Sequence, residues 1–353
     1  MENLVKLRAA MAEQDLDAII VTSELNQRYL CGYGFTDGLI VITKTDAYMV
    51  TDFRYYEEAG RAVYPEFKVE MPTDRRGYVT EILSGCKRVG YEDVTLSCAA
   101  YERMKATYTD ITLCPIGGMI EKIREVKSAD ELRKMEEAQK ITDAAFAHII
   151  KTITPNMTEI DVSLELEFFM RRHGAEGLAF ETIAVSGTAS ALPHGKCRNV
   201  KLERGFLTMD FGALYEGYCS DMTRTVVIGK ADAEMKKLYN TVLEAQLAGI
   251  EALRSGLDGY ECDKAARDII DGAGYAGCFG HSLGHGVGMF IHESPRLASS
   301  AKGQKLVPGN VVTVEPGIYQ MGKGGCRIED MLAVTADGVY DFTKSPKELI
   351  ELC

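Results

Sequence analysis

Two stretches of this chain place acids where a strand should be apolar. "LTMDFGALYEGYCSDMTRTVVIG" (207–229) and "VVTVEPGIYQMGKGGCRIEDMLAVT" (311–335) each read as a β-hairpin: an apolar run, a turn, and a returning apolar run. Asp210 and Asp221 fall on the two strands of the first, Glu315 and Glu329 on the two strands of the second. A carboxylate inside an apolar strand is unfavourable unless a cation or strong donors meet it. Pro316 and Gly317 break the strand directly after Glu315. Side chains two residues apart share a face, so Arg327 points to the side of Glu329.

Between the hairpins lies "HSLGHGVGMFIHESPR" (281–296), with three of the six histidines of the chain. Taken singly, each residue has an ordinary reading. A strand Asp is commonly a hairpin-end or salt-bridged residue, a Glu before Pro a strand end, and a His in a Gly-rich loop structural. Taken together, hairpin, histidine segment and hairpin follow in order, and both hairpins carry acids inside apolar runs. Asp210, Asp221, His285, Glu315 and Glu329 then form a ligand set for two divalent metal ions, with four carboxylates to balance their charge. Oxygen-rich ligation with one imidazole points first to Mn²⁺, with Co²⁺, Zn²⁺ or Fe²⁺ as alternatives.

The rest of the chain narrows the class. At 353 residues it has the length of two domains. No apolar run is long enough for a bilayer. The opening "MENLVKLRAAMAEQDLDAII" reads as an amphipathic helix entering a strand, without signal-peptide features, so a cytoplasmic protein is expected. A net charge of −12 argues against nucleic acid as a partner and leaves acidity that bound cations could neutralise. The ten cysteines are scattered with no CxxC pair, which suggests neither a disulfide framework nor a zinc ribbon.

Strands at "LDAIIVTS", "LIVIT", "AYMVTD" and "KRVGYE" alternate with helical patterns over "RYYEEAGRAV" and "LSCAAYERMKAT", which predicts an α/β domain over 1–123. A charged stretch follows, and Ser128 with Glu131 forms a capping-box signature ahead of a long helix. From 124 to 353 the rhythm changes. Helices are predicted over 128–152 and 157–173, and again over 233–255 and 259–273, each pair followed by β-rich sequence. Two helices and then hairpins, twice over, predict a pseudo-symmetric α+β domain.

On the segments "MDFGALYEGYCSDMTRT", "HSLGHGVGMFIHESPR", "VEPGIY" and "RIED", the chain resembles the metallopeptidases that include Xaa-Pro dipeptidase (prolidase), aminopeptidase P and methionine aminopeptidase. The resemblance implies a "pita-bread" catalytic domain with pseudo-two-fold symmetry. It implies that Asp210 chelates one metal, His285 and Glu315 the other, and that Asp221 and Glu329 bridge. It further implies that Glu315 takes a proton from water, His194 assists proton transfer, and His292 polarises the scissile carbonyl. His281 is placed near the substrate pocket. His148 and His173 match nothing and read as helix residues.

Prolidases and aminopeptidases P, unlike methionine aminopeptidases, carry a preceding domain of this length. The resemblance therefore implies hydrolysis of the Xaa-Pro bond in short proline-containing peptides, with the dipeptidase slightly favoured over an aminopeptidase acting on longer peptides. Creatinase shares the fold without a metal, and the intact ligand set argues against it. A noncatalytic metal-binding or interaction protein on this fold is the remote alternative. Arg296 is the first candidate to anchor the free carboxylate of a dipeptide, and Arg327 the second. A homodimer is expected, with the N-terminal domain narrowing the cleft. Tyr29, Tyr33, Tyr55 and Tyr56 are expected in the core of that domain rather than in a pocket.

Overall fold

The computed structural model describes residues 2–352 and divides the chain into two compact units, Met1–Arg124 and Glu125–Cys353. No helix of the described residues is long and apolar enough to cross a membrane.

In the first unit six strands make one sheet, ordered Phe67–Glu70, Ala47–Val50, Leu39–Thr43, Ala18–Val21, Arg88–Tyr91, Thr112–Pro115. Leu39–Thr43 is antiparallel to both neighbours, and the other pairings are parallel. The strand "AIIV" is buried at every position, as an unbroken apolar run requires when both faces are covered. The helix Glu24–Cys31 has no counterpart among the expected elements, although its punctuation is plain. Ser23 caps it by accepting the Asn26 N–H, and Gly32 ends it at φ 79°. It is too short to repeat an apolar period.

The tyrosines correct an expectation. Tyr29 is core, but Tyr33 and Tyr55 are half-buried and Tyr56 is exposed. The helix Phe53–Ala62 buries only Ala59, so Tyr55 and Tyr56 lie on its outer part. The Tyr33 hydroxyl donates to Glu58 at 2.9 Å, and that of Tyr55 meets Thr36 at 2.6 Å, both in exposed positions.

The second unit is built twice over. Helices Ala129–Thr152 and Glu159–Arg172 cover one mainly antiparallel sheet, whose edge strand Glu351–Leu352 alone pairs in parallel, and Ala233–Ala252 and Gly259–Ile270 cover an antiparallel one. The first pair opens on the expected capping box, with the Ser128 N–H donating to the Glu131 carboxylate at 2.8 Å. In each half the second helix is preceded by a residue that makes an isolated β-bridge, Thr158 to Lys201 and Asp258 to Lys305. The helix pairs and sheets thus repeat with the same punctuation, as the sequence rhythm predicts.

In the first hairpin, Gly205–Phe211 pairs with Met222–Ile228 without interruption, and Asp210 lies opposite Thr223. Its tip turns at Glu216 and Gly217, φ 45° and 83°, the positive pair that a tight two-residue turn demands. The second hairpin is not one ladder. Val311–Val314 pairs with Asp330–Val334, and Gly317–Gln320 pairs with Gly324–Arg327. Pro316 lacks an N–H and breaks the pairing beside Glu315, while Glu329 lies in the matching gap of the returning chain.

Candidate metal centre and active site

A cavity of about 420 Å³ in the second unit collects Asp210, Asp221, His285, Glu315 and Glu329. Both hairpins and the strand Gly284–Gly286 deliver them. Ligand atoms of Asp221, His285 and Glu329 lie within 4.8 Å of one another. Glu315 Oε1 is 3.3 Å from His285 Nε2, and Asp221 Oδ2 is 3.5 Å from it.

Each side chain is held from behind. His285 Nδ1 is 3.1 Å from the Gly286 carbonyl, which can only accept, so Nδ1 carries the proton and Nε2 presents its lone pair to the carboxylates. Burial holds this imidazole neutral, its pKa down at about 3. Thr313 accepts the His285 N–H and donates to Glu315 Oε1 at 3.2 Å. Thr223 donates to Glu329 Oε2 at 2.7 Å. Arg327 donates to Asp210 Oδ2 at 2.6 Å, while the buried Asp210 Oδ1 has no hydrogen-bond partner.

The electrostatics fit cations. Burial pushes the Glu315 carboxyl up to about 8, against the pull of Arg327. Burial, and then the charges of Asp210 and Glu315, raise Asp221. Burial, and then Asp221 and Glu315, raise Glu329. Asp221, Glu315 and Glu329, crowded together, are all raised and cannot all ionise unless positive charge sits among them. The imidazole lone pair, the orphaned Asp210 oxygen and the clustered carboxylates are together the donor set of a divalent-metal site.

His194, His281, His292 and Arg296 line the same cavity. The rings of His285 and His292 meet edge to face, centroids 4.5 Å apart. Burial, and then Arg296, lower the pKa of His292. His281 donates from Nδ1 to the Ser282 carbonyl at 2.9 Å and receives the Tyr319 hydroxyl at Nε2, also at 2.9 Å. The Arg296 guanidinium has no ion pair or hydrogen bond to other described residues, while its backbone lies in the strand that pairs with Gly284–Gly286. Arg327, the second candidate for a substrate anchor, also lines the cavity. It is buried, and its guanidinium donates to Asp210, Thr223, Tyr319 and the Pro193 carbonyl. It does share a side with Glu329, since both meet the Thr223 hydroxyl.

Thr223, Thr313, Tyr319 and Arg224 were not foreseen. Thr313 had a signal, standing two residues before Glu315 on the same strand face. Arg224, almost wholly buried, donates to the Thr223 and Glu329 carbonyls, to Asp330, and to the carbonyls of Ser345 and Pro346. Only the assembled fold brings those partners together.

Residues 133–336 match the model of metallopeptidase family M24, and residues 4–126 match the Creatinase/Prolidase N-terminal domain. The chain belongs to metallopeptidase family M24. Family membership makes it a metal-dependent peptidase with divalent cations as cofactor and peptides as substrates. It is 37% identical over 352 residues to a protein named Xaa-Pro dipeptidase from Pyrococcus furiosus, covering 99% of each chain. A solved structure described as an Xaa-Pro dipeptidase from Bacillus anthracis is similar at a TM-score of 0.95 and 44% identity, over 100% of this chain and 99% of that one. A second, described as an X-Pro aminopeptidase from Thermotoga maritima, is similar at a TM-score of 0.92 and 33% identity, over 98% and 100%. The Creatinase/Prolidase N-terminal domain thus precedes a pita-bread M24 catalytic unit, as the resemblance implies and in keeping with the repeated helix pairs and hairpins.

Proposed function

We propose that this M24 peptidase is an Xaa-Pro dipeptidase that works with two divalent ions, Mn²⁺ first among them, held by Asp210, Asp221, His285, Glu315 and Glu329. The observation that carries the dipeptidase reading is Arg296, an unpaired guanidinium on the wall of the cavity that holds these ligands. A dipeptide ends in a free carboxylate one residue beyond the scissile bond, and a guanidinium can grip it with two hydrogen bonds. The bond before proline is a tertiary amide with no N–H, so a pocket that reads an extended backbone handles it poorly.

Bound divalent ions would supply charge stabilisation at the carbonyl and lower the pKa of a water. The protein supplies the rest. Glu315 Oε1, oriented by the Thr313 hydroxyl, accepts the proton of that water. His292 donates a hydrogen bond to the carbonyl oxygen as charge develops there. His194 stands on the cavity wall to pass a proton to the proline nitrogen, which must be protonated to leave. His281, with its Nε2 already taken up by Tyr319, shapes the pocket rather than moving a proton.

The second reading is an Xaa-Pro aminopeptidase, favoured by the likeness to the Thermotoga maritima protein. Hydrolysis of Ala-Pro and Ala-Pro-Ala, measured side by side after loading with Mn²⁺, separates the two. Cleavage of Ala-Pro alone supports the dipeptidase, and a raised KM for Ala-Pro in Arg296→Ala ties that choice to the guanidinium. Efficient cleavage of Ala-Pro-Ala overturns it in favour of the aminopeptidase. No hydrolysis of either by metal-loaded protein would revive the noncatalytic alternative.

A further inference from the structure

His292 sits on a turn, Gly288–Glu293, that leads into the strand Glu293–Leu297, and the turn is folded over the carboxylate of Glu293. Glu293 Oε1 accepts the Phe290 N–H at 2.9 Å. A Cβ on Gly288 would stand 2.5 Å from Glu293 Oε2, so this carboxylate fills the space under the turn and would have to shift for any larger residue there. Outside the turn, the Gly288 carbonyl accepts the Cys219 N–H at 2.8 Å. Lys127 Nζ lies 3.5 Å from Glu293 Oε2, and the two side chains retain 1% and 8% of their exposure. Lys127 is itself fixed, since its N–H donates to the Gly309 carbonyl at 2.9 Å and Asn310 donates to the Glu125 carbonyl at 2.9 Å.

An ion pair this deep is a poor source of net stability, because desolvation offsets most of the attraction. It does fix geometry. Among the described residues, Glu293 is the acid next in sequence to His292, and its two oxygens face different partners: one holds the turn, the other the ammonium. We propose that the buried Lys127–Glu293 pair is a positioning device for His292, setting the ring against the substrate carbonyl. The proposal rests on the reading of His292 given above. Lys127 and Glu293 are positioning residues: neither belongs to the wall of the cavity.

The test is a kinetic double-mutant cycle on Ala-Pro with metal-loaded protein, comparing wild type, Lys127→Met, His292→Ala and the combination. Lys127→Met is expected to lower kcat by roughly 10- to 100-fold with KM little changed, the signature of a misplaced group in the transition state. In the His292→Ala background the same substitution is expected to cost nothing further. Glu293→Asp keeps the charge but shortens the reach, and covers the case in which Lys127→Met does not fold. It should show the same kcat loss and the same dependence on His292, and so should Glu293→Gln, whose single oxygen can accept from the Phe290 N–H or from the Lys127 ammonium but not from both. Equal losses with and without His292, or unchanged kcat in folded Lys127→Met and Glu293→Asp, would overturn the proposal. An inert His292→Ala would instead remove the catalytic reading of His292, and the positioning role with it.

Discussion

The first ligand-bearing hairpin is a continuous ladder from Phe211–Met222 to Gly205–Ile228, whereas the second is split into two short ladders at its acids. In the first, Asp210 belongs to the paired strand and Asp221 falls just before its partner strand begins. In the second, Glu315 and Glu329 both occupy the break. Their backbones turn to other partners, the Glu315 N–H to the Leu283 carbonyl at 2.8 Å and the Glu329 N–H to the Thr223 carbonyl at 3.1 Å. The regular hairpin is a platform, and the broken one is shaped around the ligands. What joins them is a set of buried donors on the platform. Thr223 and Arg224 reach from the first hairpin to the Glu329 side chain and backbone.

The sharpest way to break the comparison is at the split hairpin itself. Glu315→Gln should lower kcat by about 10²–10⁴-fold with the fold intact, as for loss of a general base, and circular dichroism beside turnover of Ala-Pro checks it. Near-wild-type turnover would move the proton acceptor elsewhere.

Next comes the tie between the hairpins. Arg224→Met strips Asp330 of a guanidinium partner at 2.8 Å in a fully buried place. Removing one partner of such a pair should cost about 3–5 kcal/mol, read from urea unfolding. A loss below 1 kcal/mol, on the order of a surface pair, would mean that the Lys347 ammonium and the Gln246 amide together satisfy Asp330.

A finer comparison sets the two orienting hydroxyls against each other. Thr223→Val and Thr313→Val should each weaken divalent-ion binding by roughly 10- to 100-fold in titration calorimetry, as loss of an outer-shell partner does. Thr223→Val should be the worse, because that hydroxyl also receives Arg327 at 2.9 Å.

The smallest effect distinguishes the two halves away from the metal centre. Burial alone would raise Glu159, but the Arg198 guanidinium and the N–H groups of Ser186 and Arg198 bring its carboxyl below the ordinary 4.5. A depressed carboxyl contributes stability above its unfolded value, lost as pH falls through the lower native value. Thermal melts of Glu159→Gln should therefore differ from wild type near neutral pH and converge on it as the medium is acidified below about pH 4. The second half has Gly259 at the corresponding helix start and fixes its helix through Asp263 and Arg267 instead. A difference that stayed constant down to low pH would show that Glu159 acts through packing rather than charge.

Much of the site was legible because its chemistry conflicts with its local pattern. An acid in "FLTMDFGA" and a Glu halted by Pro-Gly in "VVTVEPG" violate strand preference, and local rules are broken most readably at functional positions. The helix pairs were legible from their apolar period and from Ser128 and Glu131. The exposure of Tyr56 and the half-burial of Tyr55 were not, since an aromatic on a helix reads alike whether it faces a core or water.

By itself, then, the sequence determined the kind of its longer, periodic elements, the residue types able to hold a cation, and the repeat of helix pair and β-rich sequence. These follow from periodicity and from the cost of an unmatched charge, both of which act over a few residues. Tertiary structure alone decided which groups stand behind the ligands. Arg327 gathers Pro193, Asp210, Thr223 and Tyr319, and Lys127 meets Glu293 across 166 positions of chain. Hydrogen bonds and buried ion pairs depend on distance in space, and separation along the chain carries no record of that distance until the two halves have packed.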